Sequence, residues 1–200
     1  MPLNTAGPSA TTTAPRGQRW LKLQAMAWLA LGQQTRGLQV FNTMLQRWPT
    51  DPHALASRAH LHAQAGQRGL AIADAQALVA AWPQRSAADW FNLAYLLEAD
   101  GQLDDAAAAF RQAIKLDDRL DRAWYGLGLV LIRLGRPDEA LAALKRNTEL
   151  QPMSPYGWYQ LARLHASRQQ SDEALRIIRH LQGFEPKVAA QLSRETGLGA

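Results

Sequence analysis

The sequence predicts an all-α fold of stacked antiparallel helix pairs. Three observations carry this. Trp90, Trp124 and Trp158 stand 34 residues apart, with small and apolar residues in register behind each. Each 34-residue cycle holds two stretches whose apolar residues recur at helical spacing. Glycines (Gly32, Gly66, Gly101, Gly135) fall at the middle of the cycles and prolines (Pro49, Pro83, Pro152, Pro186) near their ends, marking one helix C-terminus and one helix stop per period.

The elements follow in chain order. Residues 1–17, MPLNTAGPSATTTAPRG, are small and polar and bury too little to offset ordering, so they are read as a disordered tail. The repeats run 18–51, 52–85, 87–120, 121–154 and 155–188, with one residue, Ser86, inserted between the second and third. In the last three, Leu93, Leu127 and Leu161 follow each Trp by three residues, and Ala94, Gly128 and Ala162 follow by four. Ala106, Ala140 and Ala174 follow by sixteen, and Phe110, Leu144 and Ile178 come four later. Asp104-Asp105, Asp138-Glu139 and Asp172-Glu173 open the second helices, where acids suit the helix dipole. Residues 189–200 are read as the capping helix and tail, the helix drawing on Lys187 to Glu195, because a stack needs a polar end.

This pattern resembles the tetratricopeptide repeat: Trp-x2-Leu-Gly-x2-Tyr, then Ala, an aromatic and Pro. The resemblance spans about 85% of the chain. Leu97, Leu131 and His165 stand where the pattern has Tyr. In the second repeat Leu55 replaces Trp and Arg58 takes the place of Leu; in the first, Leu21 replaces Trp and Trp28 replaces Tyr. The resemblance implies a right-handed superhelical solenoid whose first helices line a concave groove. It implies a non-enzymatic scaffold or adaptor that binds a peptide or partner protein there.

Carried onto this sequence, the groove positions are Phe91, Asn92 and Tyr95 in the third repeat, Arg122, Tyr125, Gly126 and Arg133 in the fourth, and Tyr156, Tyr159, Gln160 and Arg163 in the fifth. Phe91, Tyr125 and Tyr159 recur at 34, one residue past each Trp and so about 100° around the helix. Tyr and Arg combine contact area with hydrogen bonding, which interfaces favour. A carboxylate clamp, a known variety of the family, would use Asn92 and Arg122, but Ala56 and His60 break its motif in the second repeat.

Composition narrows the function. Zero cysteines exclude disulfides and thiolate chemistry. No stretch of 18 apolar residues predicts a membrane span, and the mean hydropathy is −0.29. The five histidines fit no metal spacing; His53 and His60 share a face with no carboxylate beside them. No nucleotide loop or nucleophile motif occurs. The reading is therefore no catalysis, no metal and no cofactor.

The net charge of +5 is uneven. Residues 1–88 hold eight basic and two acidic side chains, giving +6, while 89–200 hold fourteen and fifteen, giving −1. The alternative function is thus nucleic-acid or anionic-surface binding by the basic first part, recognisable by its salt dependence. Scattered arginines and no stacking platform weigh against nucleic acid. A secretion or assembly chaperone of the repeat type is a further alternative. Leu23 to Leu31 is the nearest thing to a signal-peptide core, but Gln24 interrupts it and Gly32-Gln33-Gln34 is a poor cleavage site. The expected compartment is the cytoplasm of a bacterium, the lysine-poor basic set matching a GC-rich genome. Partner identity and oligomeric state are left open.

Overall fold

The structure, a computed structural model, describes residues 16–199. Among them are eleven α-helices and no strand: α1 (Arg16–Ala30), α2 (Gln34–Arg47), α3 (Pro52–Gln64), α4 (Arg68–Ala81), α5 (Ala87–Ala99), α6 (Leu103–Leu116), α7 (Asp121–Arg133), α8 (Pro137–Leu150), α9 (Pro155–Ser167), α10 (Ser171–Gln182) and α11 (Pro186–Thr196). The expected tail lies outside the described residues as far as residue 15. Its last two residues, Arg16 and Gly17, belong instead to α1. The chain forms two compact units, divided after Ala81.

In the N-terminal unit α1 pairs with α2 and α3 with α4, and α2 packs on α3. Phe41 and Met44 of α2 are fully buried, among Ala25, Ala54, Leu55 and Leu78. Asp51 caps α3 by accepting from the Ala54 N–H at 2.7 Å, and it also accepts from the Gln18 amide. Such a cap is worth about 1 kcal/mol. The unexpected Arg58 forms a forked pair with buried Asp74, at 2.8 Å through Nε and 2.6 Å through Nη2. Asp74 stands at the repeat position that Ala109, Ala143 and Ile177 occupy later, and Arg58 at that of Leu93, Leu127 and Leu161. All six of those residues are buried. A charge pair thus stands where three other repeats have apolar pairs.

In the C-terminal unit α5/α6, α7/α8 and α9/α10 are the pairs, α6 packs on α7 and α8 on α9, and α11 lies against both α10 and α9. Phe110, Leu131, Leu144, Ile178 and Leu192 fill its core. Ala106, Ala140 and Ala174 are wholly buried, as close helix approach requires. Gly128 meets Leu144 so closely that an added Cβ would lie 2.7 Å from it.

The turns inside the first four pairs use glycine at φ between +67° and +83°, where a Cβ is disfavoured. The fifth turn departs: Gln169 takes φ +61°. His165, which stands in place of the family's Tyr, has its Nδ1 2.7 Å from Gln170 Oε1 in that turn. His62 and Gln67 repeat the arrangement at the same positions, also at 2.7 Å.

Candidate functional site

Each repeat tryptophan is half-buried, and its indole N–H donates to a carbonyl of the preceding loop. Trp90 donates to Pro83, Trp124 to Asp118 and Trp158 to Pro152, at 2.8, 2.8 and 2.9 Å. The tryptophans therefore serve as clasps between a loop and the first helix that follows it. They fix how α5, α7 and α9 start, and so aim the side chains one position further on.

Those side chains meet different surroundings. Phe91 packs edge-on against buried Phe110, ring centroids 5.9 Å apart, and the Arg122 guanidinium lies 4.9 Å above its ring. It forms a wall shared by α5, α6 and α7, half-buried, with Arg122 exposed above it. Gly126 is buried beneath the same Phe110, whose ring an added Cβ would strike. Its expected place on the binding face is corrected: it is a packing glycine. Asn92, Tyr95, Arg133 and Tyr156 are exposed, Tyr95 at 61% and Tyr156 at 69%. Tyr125 and Gln160 are half-buried. Arg133 reaches Glu98 of α5, 3.5 Å away, which ties α7 to α5 across this face.

At the fifth repeat the face is already engaged. Tyr159 donates its hydroxyl to Glu195 of α11 at 2.6 Å, and Gln191 donates to the other Glu195 oxygen at 2.8 Å. Arg163 sits 3.9 Å from the same carboxylate and 5.6 Å above the Tyr159 ring. The hydrogen bond from Tyr159 is the first cause holding the Glu195 carboxyl below its usual range. The same bond raises the Tyr159 phenol. A polar cleft of about 560 Å³ opens here, lined by Tyr159, Arg163, Ala166, Ser167, Glu195 and Thr196. Chemically it is a carboxylate site: a phenol donor and a guanidinium converge on one acid.

Sequence reasoning missed Glu195 and Gln191, which lie past the last repeat. It also missed a second cleft of about 630 Å³ among α8, α9 and α10, lined by Trp158, Leu141, Leu161, His165 and Ile177 with Lys145, Glu149 and Arg176 at its polar parts. Among the described residues no three metal-ligating side chains gather, and no helix is long and apolar enough to cross a membrane.

A family model described as tetratricopeptide repeat matches residues 57–121, 91–146 and 125–182. Among solved structures, MamA protein superposes with a TM-score of 0.78 at 19% identity, over 86% of this chain and 94% of that one. YrrB, titled a TPR protein with an unusual peptide-binding site, gives 0.76 at 17% identity, over 85% of this chain and 88% of that one. MamA from Desulfovibrio magneticus RS-1 gives 0.74 at 15% identity, over 92% of this chain and 98% of that one. No curated protein matches the sequence.

Proposed function

The chain belongs to the tetratricopeptide-repeat family, and from that premise we propose that it binds an extended peptide of a partner protein across α5, α7 and α9. The family makes it a protein–protein interaction scaffold. The single observation supporting this face is its run of exposed Tyr95, Arg122, Arg133, Tyr156 and Arg163, with half-buried Tyr125 among them, on successive first helices. A structural neighbour, YrrB, is described as a TPR protein with an unusual peptide-binding site, which supports the same use of this fold here. The cations favour a peptide with acidic side chains, and the tyrosines would lie against its apolar ones. The chain works by holding, without a bond-making step.

The test is capture from the native lysate followed by direct titration of the recovered protein. The variant is Tyr95→Ala/Tyr125→Ala/Tyr156→Ala, chosen because Phe91 is tied to the core through Phe110. Each tyrosine removed should weaken binding about tenfold while helicity stays unchanged. A partner bound equally by the variant would move the site to another face.

A further inference from the structure

α1 carries an apolar face that no other described helix covers. Ala25, Leu21, Trp28 and Leu29 turn toward the core of the N-terminal unit. On the opposite side Trp20, Leu23 and Met26 are 66%, 65% and 47% exposed, and Leu31, one residue past the helix and still bonded from its N–H to the Ala27 carbonyl, is 69% exposed. Ala27 and Ala30 lie exposed among them. At 100° per residue these six side chains span an arc of about 140°. Arg16 and Arg19 project from the same arc and Lys22 from its edge, and the helix has no acidic residue.

The rest of this unit offers no counter-charge. Its two carboxylates are both buried and committed, Asp51 to the α3 cap and Asp74 to Arg58. Among residues 16–81 no exposed acid remains to balance the cations. Arg16, Arg19 and Lys22 gather in the first two turns, at the N-terminal end of the apolar stripe, and their long side chains can reach up from it to lipid headgroups while the stripe itself lies in the bilayer interface.

We propose that α1 docks on an anionic phospholipid surface. Leu23, Met26, Ala27, Ala30 and Leu31 enter the acyl boundary, Trp20 sits at the headgroup level, and Arg16, Arg19 and Lys22 meet lipid phosphates. Other occupants fit less well. A second copy would bring the same cations against each other with no acid to offset them. The preceding residues 1–15 contain only Met1 and Leu3 as large apolar side chains and no acid. A nucleic-acid backbone would meet the cations but leave the apolar stripe wet.

The experiment is flotation of the full chain with vesicles of phosphatidylcholine alone and with about 30 per cent phosphatidylglycerol added. Binding is expected only to the anionic vesicles and should fall with added salt. Trp20→Gln/Leu23→Gln/Leu31→Gln should reduce the partition coefficient more than tenfold. Arg16→Gln/Arg19→Gln/Lys22→Gln should reduce it about a hundredfold, from about fivefold per cation. Both variants alter exposed side chains and should melt as wild type does, which circular dichroism checks. Absence of flotation at low salt overturns the proposal, as does equal flotation of the apolar variant. A dimer seen by ultracentrifugation and lost in the apolar variant, with no vesicle binding, would overturn it in favour of self-association. Retention on DNA without vesicle binding would also overturn it.

Discussion

The Tyr159 hydroxyl and the Glu195 carboxylate are 2.6 Å apart, joining α9 to α11. An acid from the chain's own last helix thus occupies the phenol and guanidinium of the fifth repeat. This has a pH signature. Glu195 is held below the usual carboxylate range, so its contribution is complete above that range and is lost as pH falls through the depressed value. Tyr159 is raised, so its contribution is complete below the usual phenol range and is lost as pH rises through the raised value. α11 should be held best between the two. A carboxyl-carbon NMR titration should place Glu195 below the usual glutamate range, and Tyr159→Phe should move it upward. An unmoved titration would mean the hydrogen bond is absent in solution.

The Arg58–Asp74 pair allows a sharper test. Asp74→Ala removes charged hydrogen bonds and should destabilise by about 1.5–3 kcal/mol, since Arg58 can still reach water. The double change Arg58→Leu/Asp74→Ala restores the apolar pairing of the later repeats. It should recover that loss, because a buried ion pair is often matched by well-packed apolar residues. Urea denaturation measures both. A double variant as unstable as the single one would show that the charge pair organises its neighbours as well.

Helix approach around Gly126 and Gly128 is the next target. An added methyl at Gly128 meets fully buried Leu144, and one at Gly126 meets Phe110. Gly126→Ala and Gly128→Ala should each cost about 1–3 kcal/mol, read as lowered urea midpoints. Neutral midpoints would mean that the core re-packs freely.

Gln169 is the one described non-glycine residue at positive φ. Gln169→Gly removes the clash between its Cβ and the backbone and should raise stability by about 1 kcal/mol. A thermal melt checks this; the reverse change, Gly135→Gln, should lower stability by a similar amount in the fourth turn.

Much of this architecture is legible in the amino-acid order. The 34-residue period survives because indole, leucine and small residues each meet a distinct steric demand once per cycle. Fidelity fades in the first two repeats where Leu21 and Leu55 replace Trp. Arg58 read as a plain departure because its partner lies sixteen residues on, and only aligned columns show Asp74 replacing a small or apolar residue. The binding face was less legible. Phe91 and Tyr125 hold one repeat position, yet Phe91 lacks a hydroxyl and rests on Phe110. Gly126 shares its column with Asn92 and Gln160, and nothing local reveals that a ring fills its space. Glu195 is 36 residues from Tyr159, with no periodic sign that α11 would turn its acid toward α9.

The indole clasps also bear on how this chain tolerates length change. Trp124 and Trp158 reach back six residues to their carbonyls, whereas Trp90 reaches back seven, across the inserted Ser86, at the same 2.8 Å as Trp124. The clasp measures a distance in space, not a number of residues. Spacing along the chain can therefore drift by one between repeats while the helix that follows is still set against its loop.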